Sequence, residues 1–356
     1  MLINDVLDSK SIALAATNDA RNNIPYLGLR WFPERKKQGL DLKWIKTYKG
    51  LPVSLAPSDF DTLPTIRARE GFEKEKTKMA FFREGMVVGE EEMLEIERIQ
   101  SEDDPYLASA LQGVYDDTNT LLRGAEVVAE RMRMSLLATV DGHPVIGIES
   151  DGVKYAYDYD PNGEYAKEHY AKLDGTSMWS DKANSKPLTD LNNARKKLKK
   201  KGKVAKYALM NSNTFEYLLE NEQIRNSILA QNLTATVEVD EEAVIAVVKK
   251  RTKLTIVLYD NMYKDESGVE KYFYPDNKVT LLPEYNLGGT WFGTTPEERT
   301  ARQVADVDVS TFGVGITIAT KVEYGPPMKM STYASEVVLP SYEEMESTFV
   351  LEVHHE

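Results

Sequence analysis

The sequence contains no cysteine among its 356 residues. Disulfide bonds, thiolate metal ligands and cysteine nucleophiles are therefore excluded. Histidine is scarce as well: there are four, of which His354 and His355 lie at the C-terminus. Since only His143 and His169 remain for imidazole chemistry, the sequence offers little basis for a Ser/His/Asp arrangement.

Positive charge and long apolar runs are also in short supply. The formal net charge of −13 argues against a general affinity for the nucleic acid backbone. No apolar run approaches the roughly eighteen residues of a membrane span. The N-terminus, MLINDVLDSK, lacks a basic stretch followed by an apolar one. We therefore expect no membrane span and no signal peptide, and synthesis in the cytoplasm.

Carboxylates are abundant, with a glutamate-rich run between Glu90 and Glu97. None of them is set in the apolar surroundings that would raise a carboxyl pKa for acid–base catalysis. We predict no catalytic residues and no cofactor, and hence that the chain is not an enzyme.

The stretch DYDPNGEYAKEH contains a partial calcium-loop pattern. Asp158, Asp160 and Asn162, followed by Gly163, have the spacing of such a loop. The twelfth position is His169 instead of a bidentate glutamate, and the flanking pattern is typical of strands. We therefore favour a solvated polar turn, with calcium as the alternative.

Two other stretches suggest ligands at first sight. NLGGTWFG, with Gly288, Gly289 and Gly293, lacks the lysine and the spacing of phosphate-binding loops, so a turn or a subunit contact is favoured. RKKLKKKGKVAK holds eight basic residues between Arg195 and Lys206. A solvated helix face, an acidic patch of another subunit and packaged nucleic acid are its three possible surroundings.

The first part of the chain has aromatic residues without a regular element to pack them. Trp31 and Phe32 lie among prolines and glycines that interrupt any long helix. This segment either lies irregularly on its own domain or packs against a neighbouring subunit. Two strand-like runs, 65–69 and 76–82, flank EGFEKE and predict a long hairpin. A free two-stranded ribbon is marginal in water, which again indicates contacts outside the chain.

A long helix is the clearest predicted element. After SEDDP, apolar residues recur at steps of three and four from Leu107 to Leu136. Asp103 or Asp104 can cap the helix, and Pro105 suits its first turn. The pattern predicts a helix over 105–139, about threefold longer than the usual helix of ~11 residues.

Beyond this helix the pattern changes twice. PVIGIESDGVKYAYDYD predicts a strand hairpin. From Leu188, helices alternate with strands as in a compact α+β unit, which ends in the polar hairpin YDNMYKDESGVEKYFYPDN. Strands return after Val304, and we expect the last of them, STFVLEVHHE, to pair with the hairpin that follows the long helix. One domain would then hold another inserted within it.

This order of elements resembles the major capsid protein of tailed bacteriophages, the Hong Kong 97 fold. More closely, the chain is similar to the lambda-type major capsid protein family over about 42–352. The similarity is carried by DDPYLASALQGVYDDTNTLLRGAEVVAERMRMSLLATVDG at the long helix and by MWSDKANSKPLTDL before the inserted domain. The strongest similarity is in IVLYDNMYKDESGVEKYFYPDNKVTLL.

The resemblance implies an α+β fold of five parts. They are an N-terminal arm (1–50), an extended β-hairpin loop (51–88), a peripheral domain with a spine helix (89–187, helix 105–139), an inserted axial domain (188–303) and the C-terminal part of the peripheral domain (304–356). The axial domain would point at the five- and six-fold axes of capsomers, while the extended loop would lie over a neighbour.

The resemblance also implies subunit contacts. The candidate contact residues are Trp31, Phe32, Arg67, Arg69, Phe72, Lys74, Tyr263, Asp265, Glu266, Lys271, Tyr272 and Asn277.

The implied partners are further copies of the chain in pentamers and hexamers, a separate scaffolding protein, a portal and a candidate decoration protein. The shell would enclose double-stranded DNA without sequence-specific binding, would contact no membrane, and would be assembled in the host cytoplasm. Two alternatives stay open. One is an encapsulin-like compartment, and the other is a calcium-binding adhesive or tail protein built on the Asp158 loop.

Overall fold

The computed structural model describes residues 8–19, 22, 24–47, 72–101, 107–150, 152–229, 240–300, 307–323 and 325–355. Its helices are α1 (Ser9–Asn18), α2 (Glu90–Ser101), α3 (Leu107–Ala138), α4 (Glu164–His169), α5 (Pro187–Lys200), α6 (Ser212–Glu220), α7 (Glu222–Leu229), α8 (Glu241–Thr252) and α9 (Pro296–Thr300). Short 3-10 turns cover Leu27–Arg30, Gly175–Ser177 and Met345–Ser347.

The strands of the described residues form sheets of two, five and six strands. They are β1 (Glu34–Lys36), β2 (Asp41–Thr47), β3 (Phe72–Lys78), β4 (Ala80–Val88), β5 (Val145–Ser150), β6 (Val153–Asp158), β7 (Tyr170–Lys172), β8 (Tyr207–Met210), β9 (Thr255–Leu258), β10 (Met262–Lys264), β11 (Glu270–Tyr272), β12 (Lys278–Leu282), β13 (Gly288–Phe292), β14 (Val307–Phe312), β15 (Ile316–Glu323), β16 (Lys329–Tyr342) and β17 (Phe349–Glu352).

The chain divides into two compact units. Unit 1 contains the described residues of Met1–Lys43, Lys76–Met132 and Gly289–Ser341. Unit 2 contains those of Trp44–Glu75, Arg133–Gly288 and Tyr342–Glu356. The five parts implied by the resemblance describe roles in an assembly, whereas these units are defined by contacts within one chain, so that five-part division stays a prediction.

Unit 1 is built on a six-stranded sheet in the order β1-β13-β16-β15-β14, with β4 also paired to β16. Strand β16 is 14 residues long, so it can pair with several strands along its length. Its first part pairs antiparallel with β15 on one side and with β4 on the other. Strand β1 pairs parallel with β13.

Helix α1 packs against this sheet and against the long helix α3. Ile12, Ala13 and Ala16 of α1 are buried with Leu121 and Leu122 of α3. The carboxylate of Asp8 caps α1 by accepting a hydrogen bond from the amide of Ser11. The N-terminal segment therefore has a regular helix that shares a core with α3 and the sheet, instead of only irregular structure.

Unit 2 is built on a five-stranded sheet in the order β7-β17-β12-β8-β9. Helices α5 to α8 supply most of the core, in which Leu191, Leu218 and Val248 are fully buried together with Leu281 of β12. Asn211 and Asp240 cap α6 and α8 with their side-chain oxygens.

The C-terminal strand corrects the sequence analysis. Strand β17 pairs antiparallel with β12 and parallel with β7, whereas we predicted that it pairs with the hairpin after the long helix. That hairpin, β5–β6, forms a two-stranded sheet of its own. The reason is burial: β17 is buried along its whole length, and Phe349 and Leu351 enter the unit 2 core.

The second correction concerns the predicted ribbon. The run 76–82 is not one strand, because β3 ends at Lys78 and β4 begins at Ala80, with Met79 buried between them. Strand β3 pairs with β2, whereas β4 joins the six-stranded sheet. The other predicted run, 65–69, lies outside the described residues.

Candidate assembly interface

The polar hairpin predicted from YDNMYKDESGVEKYFYPDN is present. Strands β10 and β11 pair antiparallel, with Tyr263 opposite Lys271 and Met262 opposite Tyr272. At its base the ring of Phe273 lies 4.9 Å from the ring of Tyr263 and 6.1 Å from that of Tyr259. These aromatic contacts thus anchor the base of the hairpin in unit 2.

Asp265 organises the tip of this hairpin. Its Oδ1 accepts hydrogen bonds from the amides of Ser267 and Val269, each at 2.9 Å. Its Oδ2 lies 2.6 Å from the ammonium of Lys271. The hydrogen bond from Lys271 and those from the two amides lower the pKa of Asp265. Gly268 follows with φ +78°, a conformation that favours glycine.

The remaining contact candidates of the hairpin, and the apolar residues beside them, differ in how far they are exposed to solvent. Glu266 is exposed at the tip and Tyr272 is half-buried, while Met262 and Val269 are 48% and 52% exposed. Asn277 is hydrogen-bonded within unit 2. Its backbone amide donates to the hydroxyl of Thr214, and its side-chain oxygen accepts from the hydroxyl of Tyr217. Its φ of 63° fits the left-handed turn of Pro-Asp-Asn.

Trp31 and Phe32, predicted as contact candidates, are 0% exposed within unit 1. Thr290 donates a hydrogen bond to the carbonyl of Phe32 at 2.9 Å. The amide of Gly28, just upstream, donates to Glu130 at 2.8 Å. Fully buried side chains offer no surface to another subunit, so for these two the alternative of packing on their own chain holds.

The loop candidates are only partly covered by the structure. Phe72 and Lys74 belong to β3, which pairs with β2. Arg67 and Arg69 lie outside the described residues. Subunit contacts through these four residues stay a prediction.

The basic run forms the last turns of α5 and the link to β8. Three of its lysines are paired within unit 2: Lys201 with Glu168, Lys203 with Glu344, and Lys206 with Glu284. The hydrogen bond to Glu284 raises the pKa of Lys206. Lys196, Lys199 and Lys200 are exposed. The end of the run is therefore held by ion pairs within unit 2, whereas its exposed lysines on α5 are accessible on the surface.

The Asp158 loop uses its carboxylates on its own backbone. Asp160 Oδ1 accepts from the amide of Glu164 at 2.9 Å, and Oδ2 accepts from Ala166 at 3.1 Å, which caps α4. Asp158 accepts from the amide of Asp160, and Asn162 is exposed. A helix follows the loop instead of the predicted strand. In the part of the chain that the structure describes, no three acidic or imidazole groups converge as they would around a metal ion.

The glycine-rich stretch is a strand and not the predicted turn. Gly288–Phe292 is strand β13, buried in the six-stranded sheet. A Cβ on Gly293 would meet the carbonyl of Gly39 and the side chains of Met79 and Val337, each at 2.7 Å. Gly293 therefore serves close packing, because the neighbouring backbone and side chains leave no room for a Cβ.

His169 is held in the interior of unit 2. Its ring stacks on Tyr165 with centroids 5.1 Å apart, and its Nδ1 lies 2.9 Å from the carbonyl oxygen of Thr348. Burial lowers the pKa of His169. This arrangement is that of a packed core histidine with its hydrogen bonds satisfied.

An open cavity of about 370 Å³ lies on the helical face of unit 2. It is lined by Leu188, Thr189, Asn192, Gln223, Ser227 and Arg251. Its polar groups include no nucleophile paired with a base, so it suits the binding of a polar side chain better than catalysis.

The described helices include none that is both long and apolar enough to cross a bilayer. A search of curated protein sequences found no match.

Solved structures with a similar fold include phage proteins. A phage-related protein from Bordetella bronchiseptica RB50 is 13% identical, with a TM-score of 0.57 over 97% of each chain. The capsid asymmetric unit of cyanophage A-1(L) is 12% identical, with a TM-score of 0.50 over 98% of this chain and 99% of that one. These similarities confirm the α+β, Hong Kong 97-type fold.

Sequence comparison with protein families gives the assignment itself. The model of the phage major capsid protein E family matches residues 12–313. This match favours a phage capsid protein over an encapsulin-like compartment and over a calcium-binding adhesive protein. Because it covers most of the sequence, the chain belongs to the phage major capsid protein E family.

Proposed function

We propose that this protein assembles through pentamers and hexamers into the icosahedral shell around the double-stranded DNA of a tailed phage. The observation that carries the proposal is the family match over residues 12–313. The family is one of structural capsid proteins, so we expect no catalytic activity from this chain.

The hairpin β10–β11 is the proposed contact around the capsomer axis. Its tip is preorganised by Asp265, which removes part of the entropy cost of ordering a loop on binding. Tyr263, Glu266, Lys271 and Tyr272 accompany it. A polar loop suits this place because one sequence must fit both five-fold and six-fold surroundings.

A second proposed contact is the extended loop, through Arg67, Arg69, Phe72 and Lys74. It is supported by the ribbon β2–β3, a two-stranded sheet to which Phe72 and Lys74 belong. Such a ribbon is marginal by itself and gains stability on another surface. We propose no subunit contact through Trp31 or Phe32, because both are completely buried within the chain.

The proposed partners beyond the chain itself are a separate scaffolding protein and a portal, and a decoration protein is a further candidate. DNA would be enclosed without sequence-specific contacts, consistent with the net charge of −13. The shell would be assembled in the host cytoplasm and would become the virion capsid.

Electron microscopy of the chain expressed with and without its neighbouring genes tests the proposal. We expect closed shells, or capsomer rings, with the scaffold gene present. A uniform monomer under both conditions would overturn assembly as the function of this chain.

A further inference from the structure

The helices α5 and α8 end at the same edge of the unit 2 sheet. They lead into β8 and β9, which run parallel, with Tyr207 paired to Thr255. The side chain of Arg195 in α5 donates to the carbonyl of Thr252 at the end of α8. Asn192 donates to the carbonyl of Arg251, one residue earlier. The last turns of both helices are thus side by side.

This edge of unit 2 is basic and unpaired. We define the basic edge by Lys196, Lys199, Lys200, Lys249, Arg251 and Lys253. All six residues are exposed. Within the described chain, their side chains make no ion pair or hydrogen bond. Arg251 also lines the open cavity of about 370 Å³, beside polar groups of Asn192 and Gln223.

The opposite edge is acidic. At the carboxyl ends of β8 and β9, Asp260 accepts hydrogen bonds from Ser212, and Asp276 accepts from Asn211. Helix α8 begins there, some ten residues before Arg251, which is about 15 Å along the helix axis. We define the acidic edge by Asp240, Glu241, Glu242, Asp260 and Asp276, which are all exposed. These residues have no cationic partner among the residues described.

The helix dipole explains only part of this distribution. Acids in the first turn and bases in the last turn each stabilise a helix, but the effect fades within one turn and is screened by salt. Lys196 precedes the last turn of α5, Lys253 follows α8, and Asp260 and Asp276 are outside these helices. The charges at each edge therefore extend beyond the helix ends themselves.

We propose that the basic edge of one copy binds the acidic edge of the next copy around a capsomer. Every copy carries both edges, so head-to-tail contacts use each edge once and form a closed ring when the rotation between copies closes, as it must in a capsomer. Complementary potentials also steer the copies into register and disfavour wrong pairings. The inference rests on the proposed assembly into rings and names the surfaces that would make them.

Charge reversal tests the contact. Lys199→Glu with Lys200→Glu should reduce closed shells on the order of tenfold or more, because acidic groups would then face the acidic edge. Glu241→Lys with Glu242→Lys should do the same from the other side. The two pairs combined in one chain restore opposite charges and the original net charge, and should recover much of the shell yield. Shells are counted by electron microscopy and sedimentation after coexpression with the scaffold.

Lys10→Glu with Lys154→Glu is the control matched in charge, since both lysines are exposed and belong to neither edge. Normal shells from this control support a specific surface, whereas equal loss would show an effect of net charge and overturn the proposal. Normal shells from Lys199→Glu with Lys200→Glu, with altered DNA content, would assign the basic edge to packaged DNA instead. If the unchanged protein forms no shells, the proposed function fails, whatever the variants do.

Cross-linking tests the contact in variants that keep most charges. The chain has no cysteine, so Lys200→Cys together with Glu241→Cys introduces the only two thiols. A flexible bis-maleimide should link capsomers into a ladder that ends at five or six chains, because each copy uses two different surfaces. Each single-cysteine variant should stay monomeric on the gel. A ladder that stops at two chains, or no link at all in assembled shells, would contradict the head-to-tail contact.

Discussion

The hydroxyl of Thr280 donates a hydrogen bond of 2.7 Å to the carbonyl oxygen of Leu137, although 143 residues separate them. Leu137 lies in the last turn of α3, where carbonyls have no partner within the helix. Two residues along β12, Lys278 donates to the carbonyl of Thr139. Burial lowers the pKa of Lys278. Strand β12 therefore caps the end of the long helix inside unit 2.

The same threonine serves a second buried group. The hydroxyl of Tyr274 lies 2.8 Å from Thr280 Oγ1. Because the single proton of Thr280 is given to Leu137, Tyr274 must be the donor of this bond. The chain Tyr274–Thr280–Leu137 is thus directional, and its loss would leave two buried polar groups unsatisfied.

Thr280→Val should destabilise the protein by about 1–3 kcal/mol, because the shape is kept while both bonds are lost. Chemical denaturation of the unassembled chain measures this. Thr280→Ser, which keeps the hydroxyl, should cost less. Adding Tyr274→Phe to Thr280→Val should cost less than the two single changes together, since the orphaned phenol is removed. Additive costs would contradict the directional chain.

His169 carries a proton on Nδ1 when neutral, because the carbonyl of Thr348 can only accept. Its Nε2 then accepts from Lys201 at 3.1 Å. Burial keeps its pKa below the usual 6.5, with Lys203 adding to the decrease and Glu346 and Asp160 opposing it. The folded protein thus disfavours the charged imidazolium.

Stability should therefore fall as the pH is lowered below 6.5, the usual pKa of histidine. Below 6.5 the unfolded chain binds this proton while the folded chain does not, so the contribution is complete above 6.5 and is lost as pH falls through the folded pKa. His169→Asn can still donate to Thr348 but does not titrate, and its denaturation midpoint should depend less on pH over this range. Parallel pH curves for the two proteins would contradict the assignment.

Local sequence patterns were sufficient to predict the elements that are determined by their own residues. The spacing of apolar residues predicted a helix over 105–139, and α3 covers Leu107–Ala138. The polar stretch after β9 formed the predicted hairpin because its turn residues, Asp265 and Gly268, specify it without distant partners.

Elements that depend on distant partners were predicted wrongly or not at all. The stretch of β13 was assigned to a turn or a subunit contact because it lacks the lysine and spacing of a phosphate-binding loop. It forms a strand, and Gly293, which follows it, is needed where Gly39 and Val337 approach. The predicted pairing partner of β17 was wrong, because the apolar pattern of this strand would fit any hydrophobic core. The order of elements along the sequence does not indicate that β17 packs in the core of unit 2.

The candidate interface was predicted in part. The basic run was recognised, but not its continuation through Lys249 and Arg251, nor the acidic residues at the other end of α8. The sequence does contain a pattern that indicates these two surfaces. Helix α8 begins with acidic residues and ends with basic ones, α5 ends with basic residues, and each helix precedes an apolar strand.

Gly293→Ala tests the packing of unit 1. Its new Cβ would lie 2.7 Å from the backbone carbonyl of Gly39, so the strands must shift, and we expect a loss of about 1–3 kcal/mol in the free energy of unfolding. Gly147→Ala is the control, since nothing lies within 4 Å of a Cβ there. Its effect should stay within about 0.5 kcal/mol. Equal effects would show that loss of glycine, and not crowding, determines the cost.

Asp265 gives the most direct test of the hairpin as an assembly contact. Asp265→Ala removes the acceptor for the amides of Ser267 and Val269, so hydrogen exchange at these amides should accelerate on the order of tenfold. Asp265→Asn keeps an acceptor oxygen and loses only the ion pair with Lys271, so the amides should stay largely protected. Shell yield should follow the same order, lowest for alanine, while the unfolding midpoint of the unassembled chain stays unchanged because the tip is outside the core. Normal shells from the alanine variant, with its tip amides exchanging freely, would remove the hairpin from the contacts that build the capsid.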